Sequence, residues 1–181
     1  GKTDPATKLD VEGGAIIRGD ILQQPVVNGF DATYPPGIQT FGVARYLSHR
    51  RHVGSSYLHL LLPPRYNISS SKMFFLELKG YIYGSIPGSA NTELLNFNMA
   101  GYVTPVSNGG PIDAIVIKDL TNSSVNASFY YSTTLNRAIC KLEIISIYYT
   151  SFVVNSIAIG NGDVIKPGEI QIIERTTATN L

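Results

Sequence analysis

His49-Arg50-Arg51-His52 is the one dense run of basic side chains in the chain. Adjacent guanidiniums present planar forks of N–H donors that match carboxylate, sulfate or phosphate oxygens pairwise. The chemistry this supports is binding of an anionic sugar or a lipopolysaccharide. A solvated loop between two strands accounts for the same residues without any ligand. His49 and His52 stand at i and i+3 in that loop, a spacing that fixes no metal geometry. Tyrosines form the second candidate group. The chain carries 11 of them, and each pairs an apolar ring with a polar tip suited to a sugar face. Tyr83 and Tyr102 join the basic run as candidate binding residues. Doublets such as Tyr130-Tyr131 and Tyr148-Tyr149 must place one ring on each face of a strand. At least half of such rings are then expected in a core or a subunit interface. The loops 84–90, 107–111 and 120–126 are further places for a receptor site, because loops carry binding functions on a rigid frame.

Other reactive side chains make no constellation. There is no G-x-S-x-G elbow to expose a nucleophilic serine. Glycoside cleavage needs two carboxylates held roughly 5–10 Å apart. Glu77, Glu143, Glu169 and Glu174 are scattered with no paired spacing and read as strand-face charges. The single cysteine, Cys140, excludes an internal disulfide, and no Cys/His cluster suits zinc. It reads as a small buried hydrophobe on a strand. The aspartates lack calcium-loop spacing. Asn67-Ile68-Ser69, Asn122-Ser123-Ser124 and Asn126-Ala127-Ser128 match the glycan acceptor pattern, as an Asn- and Ser-rich chain does by chance. These residues predict no enzyme, no metal and no cofactor.

Composition narrows the classes further. The 181 residues suit one domain, or a short stalk and one domain. Charged residues make up 15 %, against about 25 % in average chains, so part of the surface is expected to be hidden by oligomerisation. A net charge of +1 gives no field to attract nucleic acid or an anionic membrane. No apolar run approaches the ~18 residues of a membrane-spanning helix.

The elements that must position these residues read as strands. Short apolar runs are bounded by Gly, Pro, Asn and Ser, and Tyr, Phe, Ile and Val dominate them. Residues 73–83 alternate most clearly, with Phe74, Leu76, Leu78 and Ile82 on one face and Glu77 and Lys79 on the other. Further strands are expected over 41–47, 56–62, 94–103, 112–118, 128–132, 137–149, 152–159 and 164–173. Gly160-Asn161-Gly162-Asp163 predicts a hairpin joining the last two. The spacing fits an antiparallel β-sandwich or a jelly roll.

Residues 1–24 form a separate unit. Lys8-Leu9-Asp10-Val11-Glu12-Gly13, with Thr3-Asp4-Pro5-Ala6-Thr7 before it, resembles the P-x-x-K-L-D-V-x-G segment of virus and bacteriophage fibre proteins. Residues 73–84 with Ala100-Gly101-Tyr102-Val103 resemble the K-G-Y-x-Y-G and G-Y strands of some fibre heads. The resemblance implies an all-β chain: a short trimeric stalk (1–24), a Pro-rich neck (25–40) and an antiparallel, jelly-roll-like head (41–181). It implies the distal part of a homotrimeric fibre of the virion, attaching to a host receptor or glycan and joined to other virion proteins, with no nucleic acid and no membrane insertion. A purely architectural virion protein and a fibre-borne polysaccharide depolymerase are the alternatives.

Overall fold

The computed structural model describes residues 22–23, 38–48, 56–83, 92–104, 113–117, 125–144, 149–158 and 164–181. These residues contain no helix and ten strands. The strands are β1 (Leu22–Gln23), β2 (Ile38–Ser48), β3 (Ser56–Leu61), β4 (Lys72–Tyr83), β5 (Thr92–Val103), β6 (Asp113–Ile117), β7 (Val125–Ser132), β8 (Arg137–Ile144), β9 (Tyr149–Ala158) and β10 (Gln171–Arg175). They build two sheets, in the orders β1-β2-β9-β4-β5-β6 and β10-β3-β8-β7. Every ladder is antiparallel. The all-β reading is correct, and the architecture is that of a β-sandwich.

The alternation in β4 shows why the sheets pack. Phe74, Leu76, Leu78 and Ile82 are buried, and Met73, Lys79 and Tyr81 are exposed. Leu95, Phe97, Met99 and Val103 of β5 and Phe152 and Val154 of β9 extend the same inner face. Leu58 and Leu60 of β3, with Ala138, Cys140, Leu142 and Ile144 of β8, form the opposing one. Contacts between the layers are direct: Phe74 and Phe129 rings lie 5.3 Å apart, and Cys140 Sγ approaches Met99 Sδ at 3.1 Å. Cys140 is thus the buried hydrophobe its surroundings in the sequence predict.

Two glycines in mid-strand serve this packing. Gly101 lies opposite Phe74, whose ring occupies the space a Cβ would need. Gly80 lies opposite Phe152, and a Cβ there would run into the backbone at Ser151 and Phe152. Gly42 acts differently. Its φ of +64° accompanies a register shift between Thr40 and Ala44, a β-bulge that a residue with a Cβ fits poorly. Asn155 Oδ1 accepts from Gly42 N at 2.9 Å, and Asn155 Nδ2 donates to Glu77 at 3.1 Å, so the bulge is tied across β9 to β4.

The expected hairpin between the last two strands does not form. β9 pairs with β2 and β4 in the larger sheet, whereas β10 pairs with β3 in the smaller one. Residues 164–170 instead carry the chain towards the smaller sheet, burying Ile165 and Ile170 on the way. Arg65 fixes this crossing: it donates to both Glu169 carboxylate oxygens, at 2.8 and 2.6 Å, and to Val164 O at 2.9 Å. The last strand is accordingly short, 171–175 rather than 164–173. The apolar stretch 137–149 also divides, since β8 ends at Ile144 and β9 begins at Tyr149 in the other sheet.

Candidate functional site

The outer face of the larger sheet collects the exposed apolar side chains. β4 sends Met73, Phe75, Glu77, Lys79, Tyr81 and Tyr83 to that face, because side chains alternate along a strand. Register then sets their neighbours. Leu47 of β2 lies opposite Ser151 of β9, Ser151 opposite Tyr81, and Tyr81 opposite Leu94 of β5. Tyr149 and Tyr83 form the next row, with ring centroids 6.2 Å apart. Leu94 is 71 % exposed, Leu47 56 %, Tyr81 42 % and Tyr149 39 %, so the row is open to solvent. On its other side lie Arg45, Val153, Lys79 and Asn96, paired across the same strands. Lys79 Nζ approaches Glu77 at 2.8 Å, and this bond, first among its causes, holds the Glu77 carboxyl below its usual range.

Tyr83 therefore lies with Tyr149 in the row next to Leu47, Tyr81 and Leu94. Tyr102 does not: it pairs with Met73, at the opposite end of β4. Ten residues of strand separate the two positions, roughly 33 Å at 3.3 Å per residue, so one small ligand cannot touch both. His49, Arg50, Arg51 and His52 lie outside the described residues, as do the stalk motif at 8–13, the loops 84–90 and 107–111 and residues 120–124 of the third loop. Leu47 and Leu94 are the participants that sequence reasoning missed. Leu94 stands beside Leu95 in a doublet, and one member of any strand doublet must face outward. That is the signal that could have found it.

The four glutamates Glu77, Glu143, Glu169 and Glu174 do not converge. Glu77 lies on the outer face of the larger sheet, while Glu143 of β8 belongs to the smaller one and accepts from Tyr57 at 3.2 Å. Glu169 is not on a strand; Arg65 engages it and keeps its carboxyl below the ordinary range. Glu174 accepts from Tyr46 at 2.9 Å. Asn67, in an acceptor pattern, has its side chain folded into a turn, donating to Pro64 O at 3.0 Å and accepting from Ser69 N at 3.0 Å. No group of His, Cys, Asp and Glu among the described residues is arranged to hold a metal ion. No helix of the described residues is long and apolar enough to cross a membrane.

Compared with protein families, characterised proteins and solved structures, the chain gives no match.

Proposed function

We propose that the chain is the distal part of a homotrimeric viral or bacteriophage fibre, whose β-sandwich head attaches to the host surface. The observation that carries this reading is the open row Leu47, Tyr81, Leu94 and Tyr149, with Tyr83 beside it, on the outer face of the larger sheet. An open face with tyrosine rings beside Arg45, Lys79 and Asn96 suits a glycan, which offers apolar ring faces and polar edges together. The resemblance of residues 8–13 to fibre stalks supplies the trimer. Three weak sites on one fibre gain avidity of roughly 10²–10⁴-fold over one.

Two measurements test the reading. Multi-angle light scattering at micromolar concentration is expected to give the mass of three chains, and a monomer would overturn the trimer. Intact host cells are expected to retain the protein and to release most of it when Leu47, Tyr81 and Leu94 are all replaced by Ser. The architectural alternative, a collar, baseplate or capsid decoration protein, predicts a trimer that no cell retains. A fibre-borne depolymerase predicts new reducing ends when host polysaccharide is incubated with the protein.

A further inference from the structure

The outer face of the smaller sheet is covered where that of the larger sheet is open. Residues 176–181, which follow β10, lie across it as a strap. Lys141 Nζ of β8 donates to Ala178 O at 3.0 Å and to Asn180 Oδ1 at 2.9 Å. Leu181 N donates to the Tyr130 hydroxyl of β7 at 3.0 Å. That hydroxyl is 2.8 Å from His59 Nδ1, and His59, on β3, is 0 % exposed. His59 Nε2 is buried and has no hydrogen-bond partner. Leu61 and Ile139, on the same face, are also buried.

We infer that His59 is a proton-sensitive lock for this strap: the neutral ring lets residues 176–181 close over the smaller sheet, and protonation lifts them and uncovers the face beneath. A ring at Nδ1 facing a hydroxyl already engaged by Leu181 accepts the Tyr130 proton and carries its own hydrogen on Nε2. A second ring proton would fall on Nδ1, where it would compete with the Leu181 N–H for the Tyr130 oxygen and leave the hydroxyl hydrogen without its acceptor. It would also place a cation in a fully buried ring beside the cations Lys141 and Arg175. Every element packed around the ring bears on this. Lys141 of β8 and Arg175 of β10 are cations; Glu143 of β8 is bonded to Tyr57, two residues from His59 on β3; Tyr130 of β7 is neutral. Burial, then the charges of Lys141 and Arg175, push the His59 imidazole below its ordinary value. A released histidine takes up its proton near pH 6.5, so below that pH the released form binds more protons than the closed one. The strap's hold is therefore complete above about pH 6.5 and weakens as pH falls from there. The inference does not depend on the fibre reading.

Amide exchange of Leu181, expressed relative to its intrinsic rate at each pH, tests it in the intact chain. Protection is expected to fall between pH 7.5 and pH 5.0, by at most about 30-fold, the limit set by a released histidine that titrates near pH 6.5. In His59→Asn, which keeps a polar partner for Tyr130 but cannot titrate there, protection is expected to stay flat. Unchanged protection in the native chain, or an equal fall in the variant, would overturn the lock. Should the variant not fold, an NMR titration of the native His59 ring decides: a midpoint below 6.5 supports the lock, and one at or above it refutes it.

Discussion

Gly80 and Gly101 show how much a missing side chain can specify. Each stands in mid-strand, where glycine is otherwise unfavourable, and each faces a phenylalanine on the neighbouring strand. At Gly101 the Phe74 ring takes the place the glycine leaves empty, so that pair acts as one packed unit, whereas at Gly80 the backbone of β9 comes close. This gives the Lys79-Gly80-Tyr81-Ile82-Tyr83 stretch a physical meaning independent of any family resemblance. Gly80→Ala would drive a methyl into the backbone at Ser151 and Phe152, which belongs to the fixed frame of β9. Urea unfolding is expected to show a loss of about 1–3 kcal/mol, the usual cost of overpacking. A loss within a few tenths would mean that β9 yields there. Cys140 is the opposite case, since burial pushes its thiol far above the ordinary range and leaves it inert.

At the scale of elements, the crossing at 164–170 depends on the ion pair of Arg65 and Glu169. Both side chains are about a third exposed, at 33 % and 30 %, so solvent screening keeps the pair's worth low. Glu169→Gln is expected to cost about 1 kcal/mol at pH 7, near the upper end for such pairs. The folded carboxyl titrates below its ordinary range, so its contribution is present above about pH 4.3 and is lost as pH falls below that. Acid unfolding followed by circular dichroism should show native and variant stabilities converging below pH 4. The elements also show what a sequence discloses. β4 was legible because every second residue from Phe74 to Ile82 is buried, Gly80 apart. The break between β8 and β9 was placed too late, after residue 149 rather than before it, because an apolar run looks the same whether the chain stays in one sheet or leaves for another. Gly160-Asn161-Gly162-Asp163 announces a turn, but turn chemistry is local and does not choose the sheet that follows. The candidate site divided in the same way. Tyr81, Tyr83 and Tyr149 drew notice as tyrosines, whereas Leu47 and Leu94 resemble core residues until register places them on the outer face.

The whole molecule presents two unlike surfaces. One sheet displays an open apolar row, and the other lies under a strap. Exposed side chains contribute little to folding, so the variant with Ser at 47, 81 and 94 should change the unfolding free energy by no more than ~0.5 kcal/mol per site. Urea unfolding of that variant checks this, and a large loss would show that the row is packed against part of its own chain. β9 has a consequence for how such a molecule comes to exist. It lies between β2 and β4, and the two become members of one sheet only through it. Some 75 residues of chain separate the end of β4 at Tyr83 from the end of β9 at Ala158. At roughly 5–20 residues per second, a ribosome needs on the order of 4–15 s to supply them. During that interval β2 and the β9-facing edge of β4 wait as unpaired edges, the kind that join neighbouring chains. Synthesis on crowded polysomes is then the stage at which this protein is most exposed to aggregation, and a holding chaperone is most useful between the emergence of β4 and that of β9.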